Sequence, residues 1–242
     1  MLASNVLVMP RPSGTGVMHA LPDATAQFDM DTLGSRLHLF RRRIRCKEYL
    51  FRAGQPMQSI YVVHAGFFKS CVTSEDGREK ITGFRMRNDL LGIDSLGMSS
   101  HACDVVALDV GEVWELPCAQ LSAFAAKVPR FQDTLTAALS SEIRRDWQWM
   151  LSVGTLAAEK RVIAFLLDLA ERQRALGYSP RQLLLRMSRA ELGNFLALQL
   201  ETVTRALSHL AALGLIGVER REIRLVDPDA LRALLPGAAA LH

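Results

Sequence analysis

The segment from Met187 to Leu210, MSRAELGNFLALQLETVTRALSHL, limits what this chain can fold into more than any other stretch. Ser188 precedes Glu191 by three residues, the spacing of a capping box. In that motif hydroxyl and carboxylate each satisfy an orphan backbone N–H at a helix start. Leu192, Phe195 and Leu196 then supply an apolar face at helical spacing. Val203, Leu207 and Leu210 recur at i, i+4 and i+7 and fix the buried side of a second helix. Two short helices joined by a tight connection form a helix-turn-helix, whose second helix enters the DNA major groove.

Glu201, Thr204 and Arg205 fall at i, i+3 and i+4 and share another face of that second helix. Their chemistry suits base edges: arginine forks onto guanine, glutamate accepts from cytosine, and threonine meets a thymine methyl. The bland alternative is an exposed Glu–Arg pair, worth only about 0.2–0.5 kcal/mol. The sequence that follows favours base reading. Gly214 can take the left-handed conformation that ends a helix, and Val218–Val226 has the pattern of a two-stranded hairpin with Arg220 and Arg221 near its tip. Residues 181–226 carry seven arginines against four glutamates, a local excess that suits phosphate contact beside a helix-turn-helix. Ser188, Arg189, Arg220 and Arg221 are the candidate phosphate contacts.

The motifs SRAELGNFL (188–196) and ETVTR (201–205) closely resemble the DNA-binding motif of the cyclic-AMP receptor protein/FNR family of bacterial regulators. The resemblance extends upstream through FRAGQP (51–56), SIYVVHAG (59–66), EKITGF (79–84) and NDLLGIDSLG (88–97), and covers roughly residues 30 to 235. It implies an α+β fold: an N-terminal antiparallel β-roll, a long dimerisation helix and a C-terminal winged helix-turn-helix. It also implies a DNA-binding homodimer on a pseudo-palindrome of TTGA-type half-sites, read by Glu201, Thr204 and Arg205, acting as an activator with RNA polymerase as a further partner. Leu200 stands where the cyclic-AMP receptor branch carries another base-reading arginine, which favours FNR-like specificity. Two positions depart from the pattern. Ala197 replaces the usual turn glycine, at a cost on the order of 1 kcal/mol if left-handed. Gln199 replaces a capping threonine or serine.

The expected organisation is a flexible arm over 1–27, a β-roll over 28–127, a dimerisation helix over 128–153 and the DNA-binding domain over 154–242. A short helix is expected at 31–40, and β-rich runs alternate with turns from about Ile44 to Leu121. Phe131, Leu135, Leu139, Ile143, Trp147 and Met150 (or Leu151) form one apolar stripe on the long helix. Such a stripe either packs on its own domain or, as the resemblance implies, pairs with its twin in a parallel seam. The 242 residues carry a net charge of only +4 and no apolar run long enough for a membrane span. The first residues make a poor secretory signal, and four scattered cysteines suit reduced thiols, so a cytoplasmic location is expected.

The expected signal is less defined. In the family, cyclic AMP needs a glutamate after a glycine and a later arginine beside serine or threonine. Here Gly92 precedes Ile93 and the loop from Ser95 to Leu108 has no such arginine; it offers His101, Cys103 and Asp104. Burying a phosphate without a cation is unfavourable by about several kcal/mol. An FNR-type iron–sulfur cluster needs four thiolates. Here no cysteine precedes Cys46, Trp114 takes the strand position, and Cys46, Cys71, Cys103 and Cys118 are widely spaced. Three inputs stay open: haem held by His64, His101 or a cysteine; thiol oxidation at Cys71 or Cys103; or no dedicated cofactor or metal, with control by abundance or an unidentified small molecule. The last is favoured. A rival function is that of a small-molecule receptor whose helix-turn-helix engages protein. Enzyme motifs such as a P-loop, Gly-x-Ser-x-Gly and His-Glu-x-x-His are missing from the sequence.

Overall fold

The computed structural model describes residues 39–128 and 131–236. The expected arm and nearly all of the expected 31–40 helix lie outside those residues; Leu39 and Phe40 run directly into the first strand. Eight short strands follow: β1 (Arg41–Ile44), β2 (Tyr49–Phe51), β3 (Ser59–Ala65), β4 (Phe68–Thr73), β5 (Glu79–Arg85), β6 (Leu90–Leu91), β7 (Asp104–Ala107) and β8 (Gly111–Pro117). They pair antiparallel into two four-stranded sheets, ordered β1-β8-β3-β6 and β2-β7-β4-β5. Ile44, Phe51, Val63, Phe68, Val105 and Val113 fill the space between the sheets. Strands β3 and β8 are buried on both faces, because Ile60, Val62, Trp114 and Leu116 meet a helical layer behind them.

That layer is α1 (Leu121–Lys127) and the first turns of α2 (Phe131–Thr155). The 25 residues of α2 span about 37 Å at the usual helical rise. Its apolar stripe serves two purposes in succession. Phe131 is only 2 % exposed and packs edge-on against Phe124 at 6.2 Å. Leu135 and Leu139 are half-buried against the same cluster. The expectation that Phe131 belongs to a dimer seam is therefore corrected: its own barrel takes it up. Further along, Ile143, Trp147, Met150 and Leu151 are 49 %, 63 %, 69 % and 53 % exposed.

Helix α3 (Ala158–Ala175) buries Val162, Ile163, Phe165, Leu166 and Leu169. Then come β9 (Gln182–Leu184), α4 (Arg189–Leu196), α5 (Leu200–Ala212), β10 (Ile216–Glu219), β11 (Glu222–Leu225) and α6 (Pro228–Ala233). The wing is a three-stranded sheet in the order β10-β11-β9, where the sequence predicts only a hairpin. Three residues, Gln-Leu-Leu, carry too little periodicity to declare a strand; they become one by pairing with β11 some forty residues later, Leu183 opposite Ile223.

Barrel and C-terminal domain share one core. Phe67, Cys71, Ile81 and Phe84 of the barrel are continuous with Phe165, Leu166, Leu192, Phe195, Leu207 and Leu210. At its centre are four aromatic rings from four elements: Phe84 of β5, Trp149 of α2, Phe165 of α3 and Phe195 of α4. Phe84 and Phe195 lie 5.3 Å apart, Phe84 and Phe165 5.9 Å, and Trp149 and Phe195 4.9 Å, mostly edge to face. Such pairs contribute about 0.5–1.5 kcal/mol each beyond their buried area. Beside the rings, Arg85 pairs with Glu142, and Asp89 receives both Arg172 and, at 3.8 Å, Arg145. The turn after β5 is thereby tied to α2 and α3.

Candidate nucleic-acid interface

Helix α4 starts as its sequence dictates. The Ser188 hydroxyl accepts from the Glu191 N–H at 3.2 Å, and the Glu191 carboxylate accepts from the Ser188 N–H at 2.8 Å. Leu192, Phe195 and Leu196 face the core. At the other end Ala197 adopts φ 54° and ψ 48°, the left-handed conformation that alanine resists. The turn is also close-packed: a Cβ on Gly193 would sit 2.6 Å from the Leu198 carbonyl oxygen, so only glycine fits there. We expect Ala197→Gly to relieve the backbone strain and raise the melting temperature by about 2–4 °C, with DNA contacts untouched. A calorimetric melt that moves down instead would show that the turn is not strained.

Gln199 stands at the N-cap of helix α5, and its side chain makes no capping bond. Val203, Ala206, Leu207 and Leu210 are buried, while Glu201, Thr204 and Arg205 are exposed on the opposite side. The Thr204 hydroxyl donates to the Leu200 carbonyl at 2.9 Å, which leaves its methyl group and oxygen lone pairs to offer a ligand. Among the described residues Glu201 and Arg205 form no ion pair with each other or with a neighbour. The bland reading of the pair is thus not the arrangement found. The helix ends as expected, with Gly214 at φ 72° and the Leu215 N–H returning to the Leu210 carbonyl.

The wing tip presents Arg220 and Arg221, both exposed, between β10 and β11. Arg220 sits at φ 53°, and Glu219 and Glu222 lie directly opposite one another below it. Arg189 is half-buried and donates to the Arg220 carbonyl at 3.2 Å, so it braces the wing against the start of α4. Ser188, Glu201, Thr204, Arg205, Arg220 and Arg221 all reach solvent; Arg189 spends part of its fork on the wing.

Sequence reasoning missed the contacts that hold this unit on the barrel. The Asn194 side chain accepts from the Ile81 N–H at 2.7 Å and donates to the Glu79 carbonyl at 2.8 Å. Lys69 pairs with Glu79 at 3.1 Å and with the capping-box Glu191 at 3.3 Å, and Arg186 pairs with Asp109 at 3.4 Å. Burial alone would raise the Glu191 carboxyl, but the Ser188 bonds and Lys69 outweigh it and hold it below its ordinary value. EKITGF lies within β5, and nothing in those six residues signals the far partner.

The barrel residues singled out as sensors are engaged structurally. The His101 ring stacks on Phe51 at 3.7 Å and is 4 % exposed; burial pushes its pKa down. His64 lies 3.0 Å from Arg41 and 3.7 Å from Glu112. Asp104 accepts from the Ala53 N–H at 2.7 Å. Among the described residues no group of three or more His, Cys, Asp or Glu is placed to hold a metal ion. Cys71 and Cys103 are buried, and burial pushes the Cys71 thiol up to about 12 and Cys103 further in the same direction. Since the thiolate is the reactive form, native protein at neutral pH should alkylate first at exposed Cys46, with Cys71 and Cys103 unmodified until unfolding. Mass mapping after iodoacetamide checks this; early labelling of Cys71 would contradict it.

Known proteins resemble this chain along most of its length. Residues 41–127 match the family model described as the cyclic nucleotide-binding domain, and residues 160–234 match the Crp-like helix-turn-helix domain. The transcriptional activator protein Anr of Pseudomonas protegens is 37 % identical over 210 residues, covering 87 % of this chain and 86 % of the relative. The fumarate and nitrate reduction regulatory protein of Salmonella typhimurium is 32 % identical over 214 residues, 88 % of this chain and 85 % of the relative. The solved structure of FixK2 from Bradyrhizobium japonicum superposes with a TM-score of 0.74 at 29 % identity, covering 81 % of this chain and 96 % of that one. With both domain models matched and relatives of this similarity along most of its length, the chain belongs to the CRP/FNR family and is a DNA-binding transcription regulator, not an enzyme.

Proposed function

We propose that this regulator reads DNA as a homodimer at a pseudo-palindrome of TTGA-type half-sites. Arg205 and Glu201 engage the G·C pair from its two strands, and Thr204 meets a neighbouring base. Ser188, Arg189, Arg220 and Arg221 bear on the phosphates, Arg189 chiefly by bracing the wing. The observation that carries the reading is the exposed, mutually unpaired Glu201 and Arg205 on α5, flanked by the arginines of the wing. Ile143, Trp147, Met150 and Leu151 form the seam, together with the exposed edges of Leu135 and Leu139. The protein acts as an activator in the cytoplasm, with RNA polymerase as a further partner; the names of two relatives, transcriptional activator proteins, support the activator part of that reading.

Geometry in the barrel favours control without a cyclic nucleotide. Ile93, not a glutamate, follows Gly92, and the neighbouring side chain is the buried His101 ring, not a cation. Selection from a randomised duplex pool with the full-length protein tests the reading. The enriched sites should hold two TTGA-type elements with centres about one helical turn apart, and affinity should fall steeply with salt. A pool that enriches no motif would overturn it.

A further inference from the structure

The carbonyls that end an α-helix have no donor within the helix. In α4 the last of them, from Asn194 to Ala197, are met by two cations from distant elements. Arg161 of α3 donates through Nη1 to the Leu196 carbonyl at 3.1 Å and the Ala197 carbonyl at 3.4 Å, and through Nε to the Leu156 carbonyl at 2.9 Å. Lys80 of barrel strand β5 donates to the Phe195 carbonyl at 3.0 Å and to the Asn194 carbonyl. Among the described residues neither cation has a carboxylate partner. Desolvation and the nearby Arg161 pull the Lys80 ammonium below its ordinary pKa, so the two charges are held together against their repulsion. What favours them there is the negative end of α4.

The place they grip decides the direction of α5. Three residues, Ala197, Leu198 and Gln199, connect the two helices. Neither usual device is present: the left-handed residue is alanine, and the helix that follows has no side-chain cap. Lys80 and Arg161 supply from outside what the connection lacks. We propose that they are positioning residues for base reading, fixing the end of α4 and hence the angle from which α5 meets the groove. Because Lys80 belongs to the barrel, along with the β5 groups that hold Asn194, that angle becomes a property of the docked barrel. The proposal rests on α5 being the base-reading helix.

The test uses full-length Lys80→Met, Lys80→Arg and wild type. Each is titrated against the duplex best enriched from the random pool and against a scrambled duplex of equal length. Lys80→Met should lose about tenfold on the enriched duplex and less than about twofold on the scrambled one, with an unchanged salt slope. Lys80→Arg should recover most of the loss, and amide exchange over residues 197–203 should quicken only in the methionine variant. Equal losses on both duplexes, or a salt slope reduced by about one charge, would mean a direct phosphate contact and overturn the proposal. Full retention of discrimination would overturn it too. If wild type itself shows no preference, base reading by α5 fails; unchanged exchange over 197–203 would then sink the clamp separately.

Discussion

Arg205→Ala should cost about 1–3 kcal/mol on the enriched half-site and relax discrimination at a single G·C pair, leaving the other positions as selective as before. The reason is geometric. Arg205 is exposed on α5 and not committed to Glu201, so its fork is available for the two acceptors of guanine. Its neighbours Val203, Ala206 and Leu207 are buried, so the backbone that carries it is held by the core, and losing the side chain does not move the helix. Thermal stability should stay within about 0.5 kcal/mol of wild type, as for an exposed side chain outside any network. Binding to half-sites substituted one base at a time gives the readout. Equal weakening on every sequence would remove Arg205 from base reading and return it to the phosphates.

A second large effect is expected on α2. In the proposed homodimer, Trp147→Glu, alone or with Ile143→Glu, should give a monomer and lower affinity for the proposed palindrome by about 10²–10⁴-fold, since each half-site contact then forms without its linked partner. The wild-type residues are 63 % and 49 % exposed in the single chain, so glutamate meets water in the monomer and carries no folding penalty there. In a seam the same charge would be buried opposite its own copy, which is strongly unfavourable. Sedimentation at several concentrations, paired with titration of one isolated half-site, separates the two consequences. Affinity for the half-site should hold while affinity for the palindrome collapses. A variant that stays dimeric would move the seam elsewhere.

How much of this was legible in the sequence depended on how local each cause is. The capping box, the buried face of α5 and the glycine stop at 214 lie within a few residues of their own signals, and the structure has each of them. The stripe on α2 was legible as a stripe but not in its division. Phe131 and Ile143 look alike in sequence, and only the position of Phe124 separates core from surface. The docking of α4 on β5 was not legible: Lys80 and Asn194 are 114 residues apart, and lysine on an edge strand ordinarily signals solvent. His101 posed a similar problem. Histidine suggests a ligand, and the Phe51 ring it stacks on belongs to β2, fifty residues earlier in the chain.

The aromatic quartet has a practical consequence through its one indole. The chain holds three tryptophans: Trp114 in the barrel wall, Trp147 on the open face of α2, and Trp149 in the quartet where barrel, long helix and DNA-binding unit converge. Each sits in a different optical environment. With Trp114 and Trp147 changed to phenylalanine, emission from Trp149 would follow the approach or separation of Phe195. The protein thus carries its own gauge for whether the reading head is seated, and a candidate signal can be screened by colour shift without knowing in advance what the barrel senses.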